Sequence, residues 1–322
     1  MTTPANPDPV WHPAPHAFAD PALPSAVRVY EVGPRDGLQA ESILVPTAVK
    51  AEFCRRLVAA GVRSLEVTSF VSAKWIPQLA DAESLMAELD LPDTVRQVVL
   101  APNQRGLERA LTAGAREIAV FVSATETFAR KNLNTTVAGA LGNARPVVEG
   151  AHAAGIETRG YISMCFGDPW EGRVDAGRVA AVAAELAGMG CTSISLGDTI
   201  GVATPGHVRA VLDAVQAVGV PIGSIAGHFH DTYGQALANV HAALIAGVTE
   251  FDTAAGGLGR CPYAKGATGN LATEDLVWML HGLGIHTGID LDTLTDTSHW
   301  MAGHIGHPSP SRVATALTAA RS

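Results

Sequence analysis

A unit of helix, glycine and strand recurs along the chain and constrains the fold more than any other feature. Glycine just past the end of a helix allows the left-handed conformation that terminates it, and the next strand then begins. Strands joined in this way run parallel, with right-handed helical crossovers. Six Ala-rich stretches end in this manner: AAGV at 59–62, TAGA at 112–115, AAGI at 153–156, GMGC at 188–191, AVGV at 217–220 and IAGV at 245–248.

Eight β-rich runs alternate with these helical stretches. Eight such units close into a (β/α)8 TIM barrel. The alternative is a doubly wound open sheet, which needs a topological switch point, and no GxGxxG motif follows the first run. The runs are VRVYEV (27–32), SLEVTSF (64–70), RQVVLAP (96–102), EIAVFVS (117–123), TRGYISM (158–164), SISLGD (193–198), SIAGHFH (224–230) and TEFDTAA (249–255).

The barrel is predicted to form a single catalytic domain over residues 27–322. Residues 1–26 contain seven prolines and no lysine or arginine. This composition predicts a flexible tail and fits neither a secretory signal nor a transit peptide. At least two helical stretches follow the eighth strand, around 273–283 and 308–320, so a C-terminal extension is expected from about residue 285.

Composition narrows the classes of partner. Hydrophobic residues make up 47% of the chain and charged residues 16%, which predicts a large buried core. The net charge of −9 argues against nucleic acid or an anionic membrane surface as the main partner. No apolar run reaches the roughly 18 residues of a membrane helix. The four cysteines form no CxxC pair, which favours a reducing, cytoplasmic location without disulfides.

Polar residues follow strands 1 and 7 of the predicted barrel, at the end where TIM barrels place their active sites. Strand 1 runs into Arg35 and Asp36 in the sequence GPRDG, which is also an ordinary turn sequence. Strand 7 carries His228 and His230. Because alternate residues of a strand point to the same face, these two imidazoles lie side by side. His-x-His on a strand is rarer than an isolated structural histidine and indicates a metal pair.

Strand 8 leads into the Gly-rich sequence GGLGRCPYAKGATGN (256–270), which contains Cys261 and ends at Asn270. Glycine-rich loops at this face of a barrel often act as lids, although a simple connector is the other interpretation. A cysteine in such a loop is more exposed than the usual buried cysteine.

Strand 8 lies between strands 7 and 1 in a closed barrel, so four side chains can converge on one point. Two imidazoles, a carboxylate and an amide oxygen leave two positions of an octahedral ion free for a bidentate oxygen substrate. Oxygen donors without a thiolate favour Mg²⁺ or Mn²⁺ over structural zinc. The four predicted ligands are Asp36, His228, His230 and Asn270.

Five segments together resemble the 3-hydroxy-3-methylglutaryl-CoA lyase family, in the family's order and over nearly the whole barrel. The cysteine loop is the most diagnostic. The Arg-Asp turn and His-x-His alone would indicate only the wider superfamily of isopropylmalate synthase, homocitrate synthase and pyruvate aldolases. The segments are VYEVGPRDGLQ (29–39), LEVTSF (65–70), LGDTIG (196–201), GHFHDTYGQALAN (227–239) and GLGRCPYAKGATGN (257–270).

The resemblance implies divalent-metal-dependent cleavage of an acyl-CoA to acetyl-CoA and acetoacetate, by a protein that forms a homodimer. It places the metal on the four ligands named above. Arg35 would polarise the thioester carbonyl, and Cys261 would be the catalytic thiol. Glu66 matches an active-site carboxylate, and Glu66 or Asp198 would take the hydroxyl proton through water. The matched residues that line the site are Gln39, Ser69 and Asp198.

Three departures from the family pattern keep a different substrate open. The chain has Ala40 where Asn is common, Arg260 where Gly is common, and Asp168 where Cys is common. A related lyase or aldolase acting on another 3-hydroxyacyl-CoA or a 2-oxo acid is therefore the main alternative. Leucine breakdown, ketone-body formation and catabolism of an unusual acid all fit as pathways.

Two further classes are disfavoured. A biotin-linked carboxyltransferase domain shares the barrel and the His-x-His pair, but its chemistry typically uses a carbamylated barrel lysine, and TRGYISMCFG at strand 5 has none. A catalytically inactive barrel would be expected to lose the ligands or the thiol, and the chain keeps them all.

Overall fold

The computed structural model describes residues 13–259 and 269–321 of the chain. Eight parallel strands pair in chain order, and the eighth pairs with the first to close a barrel. The predicted TIM barrel is therefore confirmed, and every strand begins and ends inside its predicted run or within one residue of it. The strands are β1 (Arg28–Glu31), β2 (Ser64–Ser69), β3 (Arg96–Leu100), β4 (Glu117–Ser123), β5 (Glu157–Ser163), β6 (Ser193–Asp198), β7 (Ile225–Phe229) and β8 (Glu250–Thr253).

Helices cover the outside of the barrel and continue past its last strand. The two C-terminal helices predicted around 273–283 and 308–320 are present, and a third, which was not predicted, lies between them. The helices are α1 (Thr47–Ala59), α2 (Ala82–Glu88), α3 (Gln104–Thr112), α4 (Glu126–Leu133), α5 (Val137–Ala153), α6 (Ala176–Met189), α7 (Pro205–Ala217), α8 (Ala236–Ile245), α9 (Thr273–Gly282), α10 (Leu291–Ile305) and α11 (Arg312–Ala320).

The six glycines of the recurring unit have the backbone conformation that the sequence predicts. All have positive φ, between 73° and 108°. A residue with a Cβ is disfavoured in this region, which explains why the same residue type ends six different helices. None of the helices in the described part of the chain is long and apolar enough to cross a membrane.

Charged side chains fill part of the barrel interior toward the N-terminal ends of the strands. Arg159 in β5 is fully buried and pairs with both Glu250 and Asp252 in β8. Arg28 and Arg96 reach the other oxygen of Glu250, at 2.8 and 3.3 Å. We call these five residues the barrel ion network. Glu117 also pairs with Arg96, so three carboxylates face the three arginines. Such pairing is the condition under which charged groups are tolerated in a core.

Residues 13–26 run beside α9 and the segment that follows it. The backbone N–H of Phe18 donates to the carbonyl oxygen of Gly282 at 2.8 Å, and the side chain of Leu23 is buried. Residues 1–12 lie outside the described part of the chain.

Two buried carboxylates connect β1, α9 and the turn that follows β8. One oxygen of Glu31 accepts hydrogen bonds from the backbone N–H groups of Gly33 and Ala255, at 2.8 and 2.9 Å. The carboxylate of Glu274 accepts from the backbone N–H of Gly256 at 2.9 and 3.0 Å. These contacts hold together the turns that begin the loops after β1 and β8.

We expect the free energy of unfolding to fall as the pH rises from about 5 to about 8. Burial raises the pKa of Glu31 to about 7 and that of Glu274 to about 8, from an ordinary value of 4.5. Between these values the folded protein holds protons that the unfolded chain releases, so each group lowers stability by up to about 1.4 kcal/mol per pH unit. Urea unfolding at pH 5 and pH 8 measures the slope. Glu274→Gln should make it shallower, and an unchanged slope would contradict the assigned cause.

Candidate active site

The four predicted metal ligands meet at the C-terminal ends of the strands. A single π-helical turn, Gly33–Gly37, follows β1 and presents Asp36. One ligand atom from each of Asp36, His228 and His230 lies within 4.8 Å of the others. The amide nitrogen of Asn270 donates to Oδ2 of Asp36 at 2.9 Å. Barrel closure therefore brings together side chains that are more than 230 residues apart in sequence.

Two orphaned atoms show that this cluster suits a cation. Nδ1 of His230 and Oδ1 of Asn270 are buried, and neither has a hydrogen-bond partner among residues 13–259 and 269–321. Leaving such atoms unpaired in a protein interior costs roughly 1–3 kcal/mol each. A metal ion that accepts their lone pairs removes this cost, and the mixed nitrogen and oxygen donors fit Mg²⁺ or Mn²⁺.

The protonation states at the cluster also suit a cation. Burial alone would raise the pKa of Asp36, but Arg35, His228 and Asn270 together lower it to about 2. Burial and the neighbouring His228 lower the pKa of His230 to about 3. Burial would lower the pKa of His228, but Asp252 raises it above the ordinary value. At neutral pH, Asp36 is thus a carboxylate and His230 a neutral imidazole, the forms that bind metals.

Arg35 is held rigidly beside the metal ligands by two carboxylates. Its Nε and Nη2 atoms lie 2.6 and 2.5 Å from Oε2 of Glu66, and its Nη1 lies 2.8 Å from Oδ1 of Asp36. Glu66 is fully buried, and burial raises its pKa even though Arg35 opposes the shift. This clamp directs a fixed positive charge toward the cavity above the barrel.

The remaining predicted site residues divide into two groups. Gln39 and Ser69 line the large cavity above the strands, together with Arg35, Asp36 and the two histidines. Asp198 is buried, and its two oxygens accept hydrogen bonds from the backbone N–H groups of Val202 and Ala203, at 2.9 and 3.0 Å. Burial raises the pKa of Asp198 to about 6. Asp198 therefore shapes the loop after β6.

Cys261 and Arg260 lie outside the described part of the chain. The residues on either side of this stretch are described and lie in contact. Asn270 donates to the carbonyl oxygen of Leu258 at 3.0 Å, and a Cβ placed on Gly269 would overlap the backbone of Gly259. The two ends of this stretch thus meet at Asn270, one of the predicted metal ligands.

Gly269→Ala is expected to lower both metal affinity and turnover by more than about tenfold. The added methyl group cannot fit against the Gly259 backbone, so Asn270 must move. Binding of Mn²⁺ and cleavage kinetics measure the effect. Gly142→Ala in α5 is the matched control, because a Cβ there meets open space and helix propensity predicts a gain of about 0.5–1 kcal/mol in stability. Equal metal affinity in the two variants would contradict the prediction.

Sequence reasoning missed two residues of the site. Tyr161 in β5 lines the cavity, and its ring lies edge-on to His228 with the centroids 6.5 Å apart. Asp252 in β8, the strand that pairs with β7, contacts His228. The available signal was the alternation in TEFDTAA, which places Glu250 and Asp252 on one face of a strand.

A closed parallel barrel with a candidate divalent-metal centre at the C-terminal ends of its strands defines a metal-dependent TIM-barrel enzyme. The family model described as HMGL-like matches residues 26–301, and the chain belongs to this family.

Curated relatives and a solved structure agree with this assignment. The mitochondrial hydroxymethylglutaryl-CoA lyase of Arabidopsis thaliana is 50% identical over 92% of this chain, which spans only 63% of that longer protein. A 3-hydroxy-3-isohexenylglutaryl-CoA/hydroxy-methylglutaryl-CoA lyase of Pseudomonas aeruginosa is 48% identical over 92% of this chain and 99% of its own length. The crystal structure of hydroxymethylglutaryl-CoA lyase from Pseudomonas aeruginosa superposes with a TM-score of 0.90 at 48% identity, covering 92% of this chain and 99% of that one.

Proposed function

We propose that the protein cleaves 3-hydroxy-3-methylglutaryl-CoA to acetyl-CoA and acetoacetate with the help of a bound divalent ion. The observation that carries the proposal is the convergence of Asp36, His228, His230 and Asn270 beside the clamped Arg35. The names of the relatives supply the acyl group and the carrier.

The reaction is a retro-Claisen cleavage with three requirements. The tertiary hydroxyl must lose its proton, the departing carbon must be stabilised as an enolate, and that enolate must be protonated. A bound Mg²⁺ or Mn²⁺ supplies Lewis acidity, which lowers the pKa of an alcohol. Asp36, His228, His230 and Asn270 would hold the ion at the C-terminal ends of the strands, where the first three line the cavity.

Arg35 serves the second requirement. Its guanidinium is fixed by Glu66 and Asp36 before substrate arrives, so no reorganisation is needed when charge develops on the thioester oxygen. One such preorganised donor contributes roughly 3 kcal/mol to transition-state stabilisation.

We assign the two proton transfers to Glu66 and Cys261. Oε1 of Glu66 is buried without a partner among the described residues, whereas both oxygens of Asp198 already accept backbone hydrogen bonds. This contrast favours Glu66 over Asp198 as the group that takes the hydroxyl proton through water. The cysteine-loop sequence supports Cys261 as the acid that protonates the enolate.

The test is to incubate purified protein with 3-hydroxy-3-methylglutaryl-CoA and Mg²⁺ or Mn²⁺, and again with EDTA, while measuring acetyl-CoA and acetoacetate. We expect equimolar release of both products, lost with EDTA and restored by added metal. An intact substrate in the presence of a metal-loaded protein would exclude this acyl group.

A longer acyl group is the second candidate. Ala40 lines the cavity at a position where the family commonly has a larger residue, and one relative's name includes a branched isohexenyl substrate. Asp168 does not bear on this choice directly, because it is buried and its carboxylate accepts from Oγ1 of Thr125 at 2.6 Å, where the segments after β4 and β5 meet. The ratio of kcat/KM for the isohexenyl and methyl substrates separates the two candidates.

Several finer expectations belong to the same proposal. We propose Mg²⁺ or Mn²⁺ as the native ion, which the nitrogen and oxygen donors support, and a cytoplasmic location, which the cysteine pattern supports. A homodimer and a place in leucine catabolism are proposed from the family resemblance. The division into a tail over residues 1–26, a barrel domain from residue 27 and an extension from about residue 285 is likewise proposed.

A further inference from the structure

A buried carboxylate outside the four ligands touches the metal cluster. Asp252 lies directly across from His228 in the pairing of β7 with β8. Its Oδ2 atom is 3.2 Å from Nδ1 of His228, and its side chain is fully buried. No solvent competes for this contact.

Asp252 is itself held from two other strands. The hydroxyl of Ser195 in β6 donates to the same Oδ2 at 2.7 Å. Arg159 in β5 pairs with the other oxygen and is fixed in turn by the ring of Tyr30, whose centroid lies 4.1 Å from its guanidinium carbon. The carboxylate therefore cannot turn away from His228 without breaking these contacts.

We propose that Asp252 is a positioning residue for the metal centre. It accepts the Nδ1–H of His228, which fixes the tautomer and leaves Nε2 free for the cation. The inference rests on the proposed function only in requiring a bound divalent ion. Carboxylates in this position orient ligand imidazoles and strengthen them as donors, and their loss typically costs 10- to 100-fold in metal affinity.

The barrel ion network offers a matched pair of variants. Asp252→Asn and Glu250→Gln each neutralise one carboxylate partner of Arg159 with little change in shape. Of these two residues, only Asp252 contacts His228. Arg159 and His228 contact different oxygens of Asp252, and an amide replaces one of these oxygens with an NH2 donor, so Asn at position 252 cannot accept from both.

The experiment measures Mn²⁺ binding by electron paramagnetic resonance without substrate, and thermal unfolding of the same samples. We expect Asp252→Asn to raise the Kd for Mn²⁺ by 10- to 100-fold and Glu250→Gln to leave it within about twofold of the wild type. Ser195→Ala removes one support of Oδ2 without touching Arg159, and should raise the Kd by a few-fold. It keeps the test decisive if Asp252→Asn does not fold.

Three results would overturn the inference. They are a wild-type Kd in Asp252→Asn, an equal loss of affinity in Glu250→Gln, and a wild-type protein that binds no Mn²⁺. Because substrate is absent, a Mn²⁺-binding protein that leaves 3-hydroxy-3-methylglutaryl-CoA intact refutes the proposed substrate and not the role of Asp252.

Discussion

Replacing Arg35 with methionine is expected to lower kcat for thioester cleavage by a factor of roughly 10²–10³, with a smaller change in KM. The guanidinium is fixed by Glu66 and Asp36 and faces the cavity, so its charge acts mainly on the transition state. Steady-state kinetics at saturating metal measure the loss. An unchanged kcat would remove Arg35 from the mechanism.

The same substitution is expected to destabilise the protein, and this effect must be separated from catalysis. Without Arg35, the fully buried carboxylate of Glu66 has lost its cation, a change that costs roughly 3–5 kcal/mol. The double variant Arg35→Met/Glu66→Gln should recover much of this stability in urea unfolding, because it removes the uncompensated charge. It should not recover kcat. If activity returned together with stability, neither Arg35 nor Glu66 would have a catalytic role.

Replacing His230 with alanine is expected to weaken Mn²⁺ binding by more than 100-fold, beyond the range typical of residues that only support a ligand. The imidazole is buried, and its Nδ1 has no partner in the described part of the chain. Removing it should therefore cost little stability while it abolishes turnover. Titration with Mn²⁺ measures the loss of affinity, thermal unfolding of the same sample measures the change in stability, and the cleavage assay measures turnover.

His304→Ala provides the control for this variant. His304 lies on α10, away from the cavity, with its ring stacked edge-on against Trp300 at 4.5 Å. Its loss should leave metal affinity and kcat at wild-type values. A His230→Ala protein that still bound Mn²⁺ as the wild type does would require a different metal site.

Most of the fold was predictable because its signal is local. Each glycine that ends a helix acts through its own φ angle, and strands such as Glu117–Ser123 have the bounds that the sequence predicts. Helix α10 was missed because its sequence is rich in threonine and serine. Two of its hydroxyls, Oγ1 of Thr295 and of Thr297, donate to carbonyl oxygens four residues earlier on the helix, and that of Ser298 donates to Glu274 on α9. A polar sequence can therefore lie buried there.

The candidate site was predictable to the extent that closure of the barrel determines it. Once β8 lies between β7 and β1, the turn at Asp36 must face the histidine pair. The contacts behind the ligands follow from strand register and from side-chain length, which a single sequence does not specify. Two such contacts are that of the Asp252 carboxylate with His228 and the clamp of Glu66 on Arg35.

The contact between Gly259 and Gly269 has a consequence for how the family can diversify. The two glycines touch although nine residues separate them in sequence, so the ends of the intervening segment lie at one point. Lengthening such a loop costs only about 0.6 kcal/mol for each doubling of its length. The length and sequence of this segment can thus vary while its two ends, and with them Asn270, stay in place beside Asp36.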